Sequence, residues 1–384
     1  MNKNASVLDI LSELVAIESV NPDYPDGGAG EAGVADFIAG YLQTVGIEYR
    51  TDEVLPGRRN LIAFLPGKSR AGLCLETHMD TVSAMGMRIP PFDPAIREGR
   101  LYGRGSCDAK ASLAAMLFAL AELKQSGVTS PTDIYLAAVI DEEYRYHGVT
   151  RLLESGLRVH STVVGEPTSL RVVTACKGVV RFSVTTNGKA GHSARPWDGR
   201  NAIYDIAAIL QALEEELIPI LSKRQHPLLG SPTLSVGRIE GGVIVNIIPD
   251  RCEIEIDRRT LPGEDYASVS AEIREVIDGV NKKRPGLDAV IGEPVLTDYA
   301  MDTPENCPVV QCALAACQRV TGESAIDGVG YCCDATKFSR AGIPAVVLGP
   351  GDIKNAHSDN EHVDIAQVEA AAGIYMDLCR RFHG

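Results

Sequence analysis

No apolar run in this sequence approaches the ~20 residues that a bilayer-spanning helix needs, which argues against a membrane partner. Near the N-terminus, Asp9, Glu13 and Glu18 interrupt the apolar residues, while Leu8, Leu11, Leu14 and Val15 recur at helical spacing. That pattern predicts an amphipathic helix and not a secretory leader. The ten cysteines include no CxxC pair and no short-domain framework. Together with the missing export signal they predict reduced thiols in a cytoplasmic protein. Positive charge is in deficit, with 37 Lys and Arg against 51 Asp and Glu, a formal net charge of -14. Such a surface disfavours nucleic acid and anionic membrane, and any anionic substrate then needs a local basic anchor. Internal repeats and low-complexity segments are absent. Gly103-Arg104-Gly105 lacks the third glycine of a dinucleotide loop and has no Gly-Lys-Ser/Thr after it, so a nucleotide loop is discounted.

What is present points to two domains, because 384 residues are long for one core. Short apolar runs at Leu61 to Leu65, Leu73 to Leu75, Ile134 to Ile140, Thr162 to Val164 and Ala345 to Leu348 read as buried strands. Between two of them Leu113, Met116, Leu117 and Leu120 mark a helix that Gly127 and Pro131 stop. Uninterrupted apolar strands separated by helices predict an α/β sheet covered on both faces. The middle differs. Val179 to Thr185 and Cys252 to Asp257 alternate polar and apolar residues, and strand-like runs occur at Leu234 to Ile239 and Val243 to Ile248. Helices are predicted from about 201 to 217 and 266 to 280. This is the pattern of a half-exposed antiparallel sheet with helices on one side. The expected division is 1–177 with 294–384 for one domain and 178–293 for an inserted second.

The His, Asp and Glu residues stand at informative places. His78 and Asp80 directly follow one buried strand, Glu142 and Glu143 a second, and Glu166 a third. His357 comes a few residues after the last strand, and Asp108 ends the glycine-rich turn and opens the Leu113 helix. Ligands of open α/β sheets bind outside the carboxyl ends of the strands, so these residues can converge on one edge. Two imidazoles with several carboxylates suit Zn, Co or Mn better than a soft thiolate site does. Three ligand carboxylates against two divalent ions leave a single positive charge, which a bridging hydroxide neutralises. Asp80 then need not be a ligand and can fix the tautomer of His78 through its second ring nitrogen. Of the adjacent Glu142 and Glu143, one can bind metal while the other takes a proton from the bridging water. An adjacent glutamate pair is usually a solvated surface, but this one ends a buried strand, where two charges are costly without a purpose. The remaining histidines, His147, His160, His226, His362 and His383, are read as surface or core residues, and Cys107 as a small packed one.

Five motifs then resemble the M20 metallopeptidases, in that family's order and over essentially the whole chain. They are Thr77-His78-Met79-Asp80-Thr81-Val82, Gly103-Arg104-Gly105-Ser106-Cys107-Asp108-Ala109-Lys110, Asp141-Glu142-Glu143, Gly165-Glu166-Pro167-Thr168 and Ala356-His357-Ser358-Asp359-Asn360-Glu361. The resemblance implies a zinc-peptidase-type mixed sheet flanked by helices, with an inserted α+β, ferredoxin-like lid or dimerisation domain. It implies two divalent metals, Zn2+ first with Co2+ or Mn2+ as alternatives, held by His78, Asp108, Glu143, Glu166 and His357, with Asp108 bridging. It makes Asp80 the orienting carboxylate and Glu142 the general base. Gly191-His192-Ser193-Ala194-Arg195-Pro196 resembles the motif whose histidine polarises the scissile carbonyl, here His192. The segments around Asn246 and Arg259 resemble the site for the substrate carboxylate, with the Gly351 backbone as an addition. The Leu348-Gly349-Pro350-Gly351-Asp352 turn is most similar to the acetylornithine deacetylase branch. Cys332-Cys333-Asp334-Ala335 stands where the family has Thr-Asp-Ala, placing a thiol where the substrate pocket is shaped.

The expected activity is therefore hydrolysis of the amide bond of an N-acyl amino acid. Succinyl-diaminopimelate desuccinylase, dipeptidase or carboxypeptidase activity, and a silent metal-binding homologue, are the alternatives. The expected partners are a small N-acyl amino acid or dipeptide and a second copy of the chain, in a homodimer whose His192 serves the other subunit's site.

Overall fold

The computed structural model describes residues 2–384. It divides into two compact units. One consists of the residues up to Thr174, Thr303–Asp327 and Cys333–Gly384; the other of Ala175–Asp302 and Gly328–Cys332.

In the first unit, β1 (Glu48–Leu55), β2 (Arg58–Leu65), β3 (Ser69–His78), β4 (Thr132–Val139), β5 (Ser161–Val164), β6 (Val172–Cys176) and β7 (Ala345–Val347) share a mixed sheet, in the order β1-β2-β4-β3-β5-β7-β6. The pairs β4/β3, β3/β5 and β5/β7 are parallel, in register at Leu75↔Leu136, Leu75↔Val163 and Val163↔Val346. The hairpin β1–β2 and strand β6 add antiparallel edges. The parallel strands are buried on both faces, which is why their sequences are continuous apolar runs and do not alternate. Five helices carry the layers: α1 (Val7–Ala16), α2 (Ala32–Val45), α3 (Lys110–Ser126), α4 (Pro308–Thr321) and α5 (Ile365–Arg381). A reciprocal Ser6–Asp9 capping box starts α1, and Ile10, Leu11, Leu14 and Val15 bury its inner face. Helix α3 packs against α1 and α5 and is buried nearly all round, so its small residues Ala111, Ala114, Ala115 and Ala119 let its neighbours approach.

In the second unit four strands, Gly178–Asn187, Thr233–Gly241, Arg251–Thr260 and Asp288–Ile291, form an antiparallel sheet. In space the order is second, third, first, fourth. Helices Ala202–Ala212 and Tyr266–Lys283 follow the first and third strands, which makes this a ferredoxin-like βαββαβ unit. Val180, Phe182 and Val184 alternate inward with Cys252, Ile254 and Ile256, and meet Ile206, Ile209, Ile273 and Val276 of the helices. The opposite face and the edge strand Thr233–Gly241 are largely exposed.

Two local expectations change. The helix predicted to reach 217 ends as an α-helix at Ala212, and Leu213–Leu217 continue as a wider π turn. Pro219 has no N–H to donate to the carbonyl four residues back, so the regular ladder cannot run through it. The run Val243 to Ile248 does not form a sheet strand. Only Ile247–Ile248 pair, with Gly191–His192, while Val243 and Val245 are 94% and 96% exposed. Its alternation is that of an exposed apolar loop.

Candidate metal centre

The parallel strands deliver the site. His78 is the last residue of β3, and Glu166 lies two residues beyond β5. Beyond β4, Asp141 takes a left-handed φ of 66° and turns the chain into Glu142 and Glu143. Asp80 fixes that turn, because its Oδ1 accepts the Glu142 N–H and its Oδ2 the Glu143 N–H, both at 3.1 Å. Asp108 is presented by the glycine turn before α3. The buried carboxylate of Glu361 gathers that turn by accepting the N–H groups of Gly105, Cys107 and Asp108 at 2.9–3.0 Å and Arg104 Nη1 at 2.6 Å. His357 follows β7 and holds a left-handed φ of 56°.

These side chains converge. The two oxygens of Asp108 face different imidazoles: Oδ1 is 3.2 Å from His78 Nε2, and Oδ2 is 3.3 Å from His357 Nε2. Glu143 Oε1 is 3.0 Å from His357 Nε2, and Glu166 Oε1 is 3.7 Å from His78 Nε2. His78, Glu142 and Glu166 each bring a ligand atom within 4.8 Å of the others, and so do His78, Asp108 and Glu143. Among the described residues, Glu142 has no hydrogen-bond partner for its carboxyl group, whereas Glu143 is engaged by His357. The imidazole proton of His78 goes to the main-chain oxygen of Asp80, 2.9 Å from Nδ1, and the Asp80 carboxylate stands at 3.6 Å. Both the Asp80 carbonyl and, at longer range, its carboxylate thus face the same ring nitrogen.

The electrostatics are those of a buried, crowded cluster of carboxylates and imidazoles. Burial opposes ionisation of Asp108, but His357 and His78 outweigh it and hold the carboxyl well below its usual range. Burial pushes Glu166 up to about 8 against the pull of His78. Glu142 is raised well above the usual carboxylate range by burial and then by Glu166. Hydrogen bonds to Asp108 and Glu143 raise His357 to about 10. No Lys or Arg among the described residues pairs with Asp108, Glu142, Glu143 or Glu166. Four carboxylates packed together with only two imidazoles to balance them are costly, and a hard or borderline divalent cation with N and O ligands resolves that cost. The donor set therefore fits divalent metal.

The inserted unit places the other expected residues. His192 lies on Gly191–His192, is exposed, and accepts the Ala194 N–H at Nδ1, 3.1 Å away. Asn246 is exposed, and its carbonyl accepts from Ser193. Arg259 is partly exposed and pairs with Asp257 at 2.8 Å, whereas Arg258 is fully buried against Glu264 and Glu272. In the first unit the Gly351 amide is already taken, donating to Gln367 Oε1 at 2.8 Å.

A second network went unread in the sequence. Arg58 binds Glu31 through Nε at 2.8 Å and Nη2 at 2.6 Å, and reaches Asp141 at 3.1 Å. Asn21 joins Asp141 to Asp80. The only signal for Glu361 was its place four residues after His357; none marked Asn21 or Glu31.

Fold and site define a metallohydrolase acting on amide or peptide bonds. More particularly, the chain belongs to peptidase family M20/M25/M40, whose pattern matches residues 74–381. It is 32% identical over 385 residues to acetylornithine deacetylase of Myxococcus xanthus, covering 97% of each chain. Its fold is similar to that of aminopeptidase PepT from Bacillus cereus ATCC 10987, with a TM-score of 0.81 at 22% identity and 99% and 98% of the two chains covered. It is also similar to the YXEP protein of Bacillus subtilis, described as a dinuclear metal-binding peptidase of the M20 family, with a TM-score of 0.75 at 17% identity and 97% and 96% covered. Among the described residues no helix is long and apolar enough to cross a membrane, and no disulfide joins any of the cysteines.

Proposed function

We propose that this metallohydrolase cleaves the amide bond of an N-acyl amino acid, most like the deacetylation for which its acetylornithine deacetylase relatives are named. The observation that carries the reading is the double face of Asp108. One of its oxygens lies toward His78 and the other toward His357, so Asp108 together with His78, Glu143, Glu166 and His357 would hold two divalent cations. The donors favour Zn2+, with Co2+ or Mn2+ compatible. When bound, such ions supply Lewis acidity, lowering the pKa of water and polarising a carbonyl.

The chain's own residues do the rest. Glu142, the free member of the glutamate pair, takes the proton of the attacking water and hands it to the departing amine nitrogen. Burial, and then Glu166, disfavour the charged form of Glu142, which strengthens it as a proton acceptor. Asp80 holds the Glu142–Glu143 turn by its two N–H groups, and so aims both carboxylates. His192 donates to the developing oxyanion, and Arg259 with Asn246 anchors the substrate carboxylate. We read the protein as a cytoplasmic homodimer in which His192 serves the neighbouring subunit.

The test is to strip the enzyme with a chelator, reload it with Zn2+ or Co2+, and assay N-acetylornithine, N-succinyl-diaminopimelate and dipeptides. Metal-dependent turnover, fastest on N-acetylornithine, is expected. Preference for dipeptides would overturn the deacylase reading, and no hydrolysis of any of these amides by the reloaded enzyme would overturn the mechanism.

A further inference from the structure

The catalytic residues sit at the carboxyl ends of β3, β4 and β5. At the opposite ends of the same three strands lies a broad cleft of about 1040 Å³. Its walls come from the segment entering β3, the start of β4 and the loop leading into β5. Eight residue steps along β3 separate Arg70 in this cleft from His78, roughly 26 Å at the rise of an extended strand. The two sites therefore do not share ligands.

Four fixed cations line the cleft, Arg50, Lys68, Arg70 and Arg158, with the His160 imidazole among them. A single carboxylate, Asp133, joins them, and it already accepts the Gly67 N–H at 2.8 Å. Among the described residues none of the four has a carboxylate within 4.0 Å. Elsewhere Arg58, Arg104, Arg171 and Arg319, for example, each meet one within 3.2 Å. The contrast matters in a protein with 51 acidic and 37 basic residues and a net charge of -14. Acidic residues are in surplus in the chain, yet here four cations are gathered with one carboxylate, so most of their mutual repulsion is left in place. Two aromatic rings lie beside the cations: Phe64 and Tyr135 are 5.1 Å apart between centroids and 35° from coplanar.

We propose that this cleft is an anion site for a small molecule carrying linked phosphate groups. Guanidinium groups match phosphate oxygens in bidentate geometry, and a lysine ammonium adds a point charge. A polyphosphate is the ligand class dense enough in charge to meet four cations inside one cleft. An extended polyanion such as RNA or an anionic membrane is disfavoured, because most of its length would face the acidic remainder of the surface. The Phe64–Tyr135 pair offers a surface on which a base can stack. The site is independent of the hydrolytic reaction and of the substrate that reaction takes.

The metal-loaded full chain is titrated calorimetrically with magnesium-saturated ATP and, separately, with inorganic triphosphate, at low and at physiological ionic strength. The comparison protein is the Arg70→Glu/Arg158→Glu double variant. Both side chains are exposed, and neither touches the catalytic machinery, so amide hydrolysis without added phosphate should match the parent. Should that variant fail to fold, Lys68→Gln/Arg158→Gln takes its place. Expected is one saturable site per chain, weakened by salt and weakened about tenfold or more by the substitutions. Tighter binding of ATP than of triphosphate assigns the aromatic pair to a base, and equal binding assigns the site to polyphosphate alone; both support the proposal. Absence of saturable binding to the parent overturns it. So does equal binding by parent and variant, which would locate the anion at the metal centre. Binding that appears only with RNA or with vesicles of anionic phospholipid would also overturn it.

Discussion

Asn21 donates its side-chain N–H to Asp80 Oδ2 across 2.8 Å, and the same nitrogen donates to Asp141 Oδ1 at 2.9 Å. One amide thus ties together the carboxylate that holds the Glu142–Glu143 turn and the residue that begins that turn. Asn21→Leu removes both donors in a buried setting, where an unsatisfied partner costs about 1–3 kcal/mol. The expected result is a lower melting temperature and a fall in kcat with KM and metal content little changed. A variant with parental kcat would mean that Arg58 and the backbone hold the turn without Asn21.

Glu142→Gln keeps the shape of the side chain and removes its basicity. Turnover should fall about 10²–10⁴-fold while metal content, measured by atomic spectroscopy, stays at the parental level. Glu143→Gln should instead lower metal content, because Glu143 is the member of the pair engaged by His357. The opposite pattern of metal loss would exchange the two roles.

Metal-free protein should respond to pH in a direction of its own. His357 is raised to about 10 from 6.5 by Asp108 and Glu143, so its stabilisation is complete below pH 6.5 and is lost as pH climbs through 10. Burial raises Glu166 to about 8 from 4.5, so ionising it costs the fold stability as pH rises across that interval. Asp108 has the opposite sign, but it stays ionised throughout the range in question. The chelated protein should therefore melt at progressively lower temperature from about pH 5 to about pH 7, above which Lys110, lowered to about 7 by burial, acts in the opposite direction. Metal competes with the same protons, so the added stability from a fixed metal concentration should grow over that range. Parallel melting curves for the two forms would sink this reading.

Arg258 and Arg259 should separate cleanly. Arg258 is buried against two glutamates, so Arg258→Ala should destabilise the protein by about 3 kcal/mol or more through the charges left behind. Arg259→Ala should leave the melting temperature nearly unchanged and raise KM for substrates with a free carboxylate. Substrates with that carboxylate capped should lose little further activity. Equal losses on both kinds of substrate would make Arg259 a structural residue.

His192 tests the shared-site dimer. A chain carrying His192→Ala and a chain carrying Glu142→Gln should each be nearly inactive alone. Co-expressed and purified through two tags, their heterodimer contains one site with Glu142 from the first chain and His192 from the second, and activity should return. An inactive heterodimer would assign His192 to its own chain or to no catalytic role.

The sequence by itself determined the ends of the buried strands and what stands on them. A parallel strand covered on both faces must be an unbroken apolar run, so His78, Glu142, Glu143 and Glu166 mark where each run ends, and their convergence follows from the shared direction of the strands. The half-exposed antiparallel sheet with its helices was legible for the same kind of reason, since alternation within a strand and spacing along a helix are carried by near neighbours in the chain; its ferredoxin-like form was implied only by the family resemblance. Pairing that depends on a distant partner was not legible. The run Val243 to Ile248 has a strand's composition, but no strand lies beside most of it. The His78 proton could be promised to Asp80, but only the path of the chain after β3 placed its carbonyl closer than its carboxylate. Arg58 and Asp141 meet because β2 and β4 are neighbours in the sheet, Asn21 reaches Asp141 from a distant part of the chain, and the cations at residues 50, 68, 70 and 158 are gathered by the strand order. Periodicity is written by adjacent residues, whereas a hydrogen bond or a field shared by residues far apart in sequence exists only once the sheet and its helices have closed over one another.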